Sequence, residues 1–171
     1  ISGPAGGGNP DPSFMLTSTN SGITWINGGS FPGGSLSFFK AYSPTHVYCA
    51  TWQRTGKNSA YSHLSRAGIG STSFSSVYNA FGTFAYILHL DIPSSTAFYA
   101  FNYYGILKST SGSNFSPVPA NFQNLHSLSF INSLTGFVTT NNSRLLKTTD
   151  ACSSWDTFSV LNARKLQYLD E

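Results

Sequence analysis

Leu146-Lys147-Thr148-Thr149-Asp150-Ala151-Cys152-Ser153-Ser154-Trp155 decides how this chain is read, because Leu16-Thr17-Ser18-Thr19-Asn20-Ser21-Gly22-Ile23-Thr24-Trp25 has the same order of residue types. Both run aliphatic, any residue, hydroxyl, any residue, Asp or Asn, any residue, small residue, two more, then Trp. Two degenerate copies lie between them, Leu64-Ser65 running to Phe74 and Leu107-Lys108-Ser109 running to Phe115. The leading leucines Leu16, Leu64, Leu107 and Leu146 are thus 48, 43 and 39 residues apart. One turn motif every ~40–50 residues is the sequence mark of a β-propeller, in which each repeat forms one four-stranded blade.

Each part of the repeat has a physical task. The leucine ends a strand and faces the space between neighbouring sheets. The Ser or Thr hydroxyl and the Asp or Asn side chain bond nearby backbone amides and close a tight turn locally. The small position, Gly22 in the first copy, suits a backbone with positive φ. The closing aromatic starts the next strand and fills the core. Trp25, Phe74, Phe115 and Trp155 are therefore expected at equivalent buried places.

These residues resemble the Asp-box, or bacterial neuraminidase repeat, Ser-x-Asp-x-Gly-x-x-Trp. Ser18, Asn20, Gly22 and Trp25 match it with Asn for Asp. Thr148, Asp150 and Trp155 match it with Cys152 in the Gly position, and Ser109 and Phe115 are what the third copy keeps. The longer run Leu128 to Val138, followed by Leu145 to Asp150, is similar to a blade of the photosystem II assembly factor-like and sortilin-like Asp-box propellers. The resemblance covers most of the chain. It implies that the box residues are structural and lie between the third and fourth strands, on the face away from the usual binding site.

The rest of the sequence agrees with this architecture. Short aromatic and β-branched runs such as Val47 to Trp52, Ala97 to Phe101 and Gly136 to Thr139 are bounded by Gly, Pro, Asn and Ser, and no stretch sustains a helical period. The expected fold is all-β: a propeller of four-stranded antiparallel blades in one domain spanning 1–171. Three blades are complete, Phe38 to Phe74, Phe84 to Phe115 and Leu125 to Trp155, with partial blades at both ends. Residues 1–12 read as a Gly/Pro-rich loop. Lys165-Leu166-Gln167-Tyr168-Leu169 reads as the first strand of another blade. Propellers close with ~4–8 blades, so the ring is expected to be finished by the rest of a longer propeller chain, by further copies or by a partner chain.

Composition points to a compartment. Charged residues make up 9 % of the chain against ~25 % in ordinary soluble domains, and aromatics make up 15 %. Solubility must come from hydroxyl and amide groups, as in an extracellular or cell-surface β-protein. A net charge of +3 on dispersed residues gives no nucleic-acid footprint. No apolar run approaches the ~18 residues of a membrane span. Cys49 and Cys152 fall in different repeats and are not expected to bond. Asn114-Phe115-Ser116 and Asn141-Asn142-Ser143 fit the glycosylation acceptor pattern, which also arises by chance in Ser-rich sequence.

The sequence offers little catalytic chemistry. Among six acidic residues, Asp150 sits in a turn motif and Asp91 stands on a blade interior without a second acid, whereas a glycosidase needs two carboxylates ~5–10 Å apart. Arg54, Arg66, Arg144 and Arg164 are scattered, and the arginine-isoleucine-proline signature of sialidases is absent. His46, His63, His89 and His126 are not spaced like metal ligands. No catalytic residue, metal or cofactor is expected, and the balance leans away from an enzyme. A binding face is the stronger expectation: Trp52, Arg54, Lys57, Tyr103, Tyr104, Asn141 and Asn142 fall in or beside loops between second and third strands, which share one end of the blades. Aromatic faces beside amide donors suit a protein partner or a glycan, although the same aromatics would also cap the blade cores. Three readings remain: a non-catalytic binding or scaffolding module, a fragment of a sialidase-like or xyloglucanase-like glycoside hydrolase, and a glycan-binding lectin.

Overall fold

The computed structural model describes residues 14–18, 20–30, 34–43, 45–55, 59–69, 71, 73–82, 86–119, 122, 124–142 and 144–159. The Gly/Pro-rich stretch 1–12, Lys57 and the strand expected at 165–169 lie outside them. The chain forms two compact units, residues 1–87 and 88–171. In the first, β1 (Phe14–Thr17) and β2 (Ile26–Ser30) form a two-stranded sheet, and β3 (Ser35–Ser43), β4 (His46–Arg54), β5 (Ala60–Gly68) and β6 (Ser75–Gly82) a four-stranded one. β7 (Ile87–Ser94), β8 (Ala97–Asn102), β9 (Gly105–Ser109) and β10 (Ser116–Pro117) make the second blade. β11 (Leu125–Phe130), β12 (Gly136–Thr140), β13 (Arg144–Thr148) and β14 (Asp156–Ser159) make the third. All three are hairpin-connected sheets in strand order, the construction of propeller blades. Each runs past its box aromatic to a fourth strand, so the blades end at Gly82, Pro117 and Ser159. β10 is two residues long; Pro117 has no N–H with which to extend the ladder.

The second unit shows how one blade packs on the next. Ala97, Tyr99, Phe101 and Ile106 of the second blade share a core with Leu125, Leu128, Phe130, Val138, Leu146 and Cys152 of the third. The Tyr99 and Phe130 rings are stacked, 3.6 Å between centroids and 2° from parallel. Gly136 is required beneath them, because a Cβ there would stand 2.5 Å from the Phe130 ring. Polar bonds tie the same two blades. Tyr99 Oη donates to Ser133 O at 2.6 Å, Phe130 N–H donates to Asp91 Oδ2 at 2.6 Å, and Lys108 Nζ donates to Ala151 O at 3.2 Å. Every strand residue of β8 is buried, as expected of a strand covered on both faces.

The second motif copy departs from expectation. Leu64 lies mid-strand, paired with Ala50, and so faces away from the small core that Phe74 joins with Val47, Cys49 and Ala67. Side chains alternate along a strand, so Ser65, opposite Cys49, takes the core-facing place, and Leu64 is not the motif leucine. The expectation of four buried aromatics also needs correction. Phe115 is buried and Phe74 and Trp155 are half-buried, but Trp25 is 59 % exposed. Trp155 packs edge-on against Phe122 at 5.2 Å and joins the core between two blades. Among the described residues, Trp25 has no such neighbouring sheet.

Candidate functional site

The two full box motifs form the same turn. Ser18 Oγ accepts from Gly22 N–H at 2.7 Å and Asn20 N–H at 3.4 Å and donates to Asn20 Oδ1 at 3.0 Å. Asn20 Oδ1 then accepts from Thr24 N–H at 2.9 Å. In the last copy, Thr148 Oγ1 accepts from Cys152 N–H at 3.0 Å and Asp150 N–H at 3.4 Å and donates to Asp150 Oδ1 at 2.9 Å. Asp150 Oδ1 accepts from Ser154 N–H at 2.8 Å. The fourth position holds the acceptor by its side chain as well: Asn20 Nδ2 donates to Thr24 Oγ1 at 2.8 Å, and Ser154 Oγ donates to Asp150 Oδ2 at 2.6 Å. Both turns place two successive residues at positive φ, Ser21 (57°) and Gly22 (86°), then Ala151 (57°) and Cys152 (76°). In the third copy Ser109 Oγ accepts from Ser111 N–H at 3.3 Å and Gly112 N–H at 3.0 Å, with Gly112 at φ 67°. That turn has a single positive-φ residue, at the place of Ser21 and Ala151 in the others.

These bonds set the electrostatics of the acids. The Ser154 hydroxyl and N–H, with help from the Thr148 hydroxyl and Ser153 N–H, hold the Asp150 carboxyl down at about 2. Asp91 is engaged by Phe130 N–H through one oxygen and Ile92 N–H through the other. Both carboxylates therefore bind backbone. Burial pushes the Cys49 and Cys152 thiols up to about 12, and both cysteines are free. His63 Nδ1 lies 2.6 Å from Asn79 Oδ1, whereas His89 and His126 are exposed. Among the described residues, no group of three or more His, Cys, Asp or Glu could hold a metal ion, and no helix is long and apolar enough to cross a membrane.

The opposite end of the blades of the second unit carries four of the remaining sequence-derived candidates. The β8–β9 connection is the two-residue turn Tyr103-Tyr104. Asn102 Oδ1 builds it by accepting from Tyr104 N–H at 2.9 Å and Gly105 N–H at 3.1 Å. The two rings meet edge-to-face, 5.6 Å apart and 85° from parallel, and Tyr104 is 49 % exposed. In the next blade, Asn141 N–H donates to Asn124 O at 2.9 Å, which places the β12–β13 turn against the linker between the blades. Asn141 and Asn142 are exposed there. The structure thus brings Tyr103, Tyr104, Asn141 and Asn142 to one end of two packed blades. Trp52 and Arg54 belong to the other compact unit and lie within β4, not in a loop as expected from sequence. Trp52 is half-buried edge-on against Tyr86, ring centroids 4.9 Å apart, which is the capping role of an aromatic at a blade end.

Sequence reasoning missed the residues that position this end. Asn102, which ends β8, is buried and shapes the turn. Its signal was an Asn two and three residues before amides in a tight connection, the Asx-turn pattern. It also missed the Tyr99, Asp91 and Lys108 ties between blades, which join residues 34, 39 and 43 apart in sequence and so leave no local signature.

No family model and no curated protein matches this sequence. Among solved structures it is similar to "YCF48 bound to D1 peptide", with a TM-score of 0.43 and 13 % sequence identity over 87 % of this chain and 62 % of that one. The chain therefore spans less than two thirds of that structure's length.

Proposed function

We propose that this chain is a binding module with no catalytic role, built on Asp-box propeller blades and working in an exported or cell-surface protein. Further blades, from a longer chain or from other copies, complete its ring. The partner is a protein segment received at the loop end of the second unit, the blade end that carries Tyr103, Tyr104, Asn141 and Asn142. One observation carries this reading: the turn at Tyr103-Tyr104 is fixed by a buried Asn102 and presents a half-exposed tyrosine at its tip. Tyrosine on a preformed turn gives large contact area at little entropic cost, and such residues dominate interfaces. The engaged state of Asp91 and Asp150 supports the absence of turnover. The low charge content supports export.

Selection of a displayed random-peptide library on the full chain tests the reading. Peptides enriched on the wild type should bind Tyr104→Ala about tenfold more weakly, the loss of one interface anchor. Unchanged affinity in Tyr104→Ala and Asn142→Ala would remove the site. Enrichment on a glycan array with no peptide selected would establish the lectin, and hydrolysis of sialosides or β-glucans the hydrolase.

A further inference from the structure

Each complete blade ends in an outer strand. Among the described residues, β6, β10 and β14 pair on one side only, with β5, β9 and β13. That open edge belongs to the four-stranded repeat itself. Two of the three edges are blunted. β10 is two residues long and ends on Pro117, which has no N–H to offer. β14 is four residues long and opens on Asp156, and a charge on an edge strand opposes its pairing with another chain. β6 has neither device. It runs eight residues, Ser75–Gly82, without a charge or a proline. Its register slips once, at Val77, and Tyr78–Gly82 then pairs without interruption with Ala60–Leu64. No residue of β6 is fully buried. Phe81 is 68 % exposed, and its ring lies 5.8 Å from that of Tyr61, its cross-strand neighbour. A long, neutral, partly apolar edge is a template for one more strand.

We propose that β6 pairs antiparallel with the β6 of a second copy of this chain, about a two-fold axis at Ala80. The run Tyr78–Gly82 is complementary to itself about that point. Tyr78 comes opposite the second copy's Gly82, so a ring covers a residue with no side chain, a pairing that supports glycine in an edge strand. Asn79 comes opposite the second copy's Phe81, and the two Phe81 side chains stand on the diagonal, ~7–8 Å apart. In such a contact the same patch serves both copies, so any charge in the run would lie close to its like across the axis. The run has none. The contact uses both β6 edges, and association through it stops at two copies. It rests on the four-stranded blade and not on the loop-end site at Tyr104.

Sedimentation of the full chain over a concentration series should show a reversible equilibrium between one and two copies. Hydrogen exchange at residues 78–82 should slow as the dimer fills, a readout that needs no variant to fold. Phe81→Lys and Phe81→Glu should each weaken the dimer about tenfold, since an exposed anchor is lost and like charges face each other across the axis. Mixed one to one, the two variants should associate again through opposite charges, which misfolded variants would not do. Tyr104→Ala should leave the dimer unchanged. A chain that stays monomeric at its highest soluble concentration would overturn the proposal. So would a dimer that ignores both Phe81 variants, or slowed exchange confined to other strands. A monomer whose exchange at 78–82 slows only on adding a library-selected peptide would also overturn it and give the edge to a foreign strand.

Discussion

Tyr99→Phe isolates one bond in the packing of the second blade on the third. The ring, its stack on Phe130 and its buried surroundings stay; only the hydroxyl that donates to Ser133 O at 2.6 Å is removed. A net intramolecular hydrogen bond contributes ~0.5–1.5 kcal/mol. Tyr99→Ala loses the ring as well, and truncation of a buried aromatic costs ~3–5 kcal/mol. The stack itself is measured by the cycle Tyr99→Ala, Phe130→Ala and both together, with an expected coupling of ~0.5–1.5 kcal/mol. The chain has two compact units, so a readout local to each is needed to place the effect. Its two buried cysteines give local readouts, Cys49 in one unit and Cys152 in the other, where Cys152 shares the core with Tyr99. Both thiols are pushed up to about 12 by burial, so they react with a labelling reagent only through opening. Tyr99→Phe should speed labelling of Cys152 roughly two- to tenfold, the equilibrium factor for that free energy, and leave Cys49 unchanged. An unchanged Cys152 rate would refute the bond's contribution. An equal rise at both cysteines would mean that the bond's effect is not confined to the second unit.

Two further outcomes follow from the same geometry. Gly136→Ala should destabilise the second unit by ~1–3 kcal/mol in urea titration, because the new Cβ meets a Phe130 ring that is already stacked on Tyr99. Asp150 has a folded-state value held below the ordinary carboxylate value, at about 2, so its contribution is present above ~4 and is lost as pH falls from there through about 2. Asp150→Asn should flatten that acid-side slope in a stability-versus-pH series, since the Asn20 turn makes the same backbone bond without titrating.

The elements legible in the sequence were those specified by local bonds. The boxes at Ser18–Trp25 and Thr148–Trp155 close through contacts two to four residues apart, so residue order alone revealed the turn, while its place between third and fourth strands came from the resemblance to the Asp-box. The copy at Leu64 was misread because its strand continues to Gly68 before turning, and period counting cannot see a lengthened hairpin. Trp25 was placed in a core because the motif says what an aromatic does when a sheet lies beside it; whether one does is set by other segments. For the candidate site, the aromatic and amide residues were visible, but their grouping was not. Trp52 and Arg54, like Tyr103 and Tyr104, are residue types common at interfaces, yet strand β4 claims them.

The two ends of the blades of the second unit differ in how their polar groups are used, and this difference supports placing recognition at one of them. At the turn end, Thr148, Asp150 and Ser154 spend their side chains on one another and on backbone. Ser109 spends its hydroxyl on two amides. The residues beside them, Ser133 and Ala151, have carbonyls taken by Tyr99 and Lys108 of the neighbouring blade. A ligand there would have to displace bonds that hold the fold. At the loop end the bonding that shapes the turns comes from below: the buried Asn102 side chain bonds the amides of Tyr104 and Gly105, and the Asn141 amide bonds the linker. On that support Asn141 and Asn142 are exposed and Tyr104, packed on Tyr103, is half-exposed. Rigid backbone under exposed, adaptable side chains is the arrangement in which binding costs least in ordering. The prediction that separates the ends is therefore asymmetric: Asp150→Ala should alter stability and leave peptide affinity intact, whereas Tyr104→Ala should do the reverse. Peptide affinity that follows Asp150 and ignores Tyr104 would place recognition on the turn end and undo the argument.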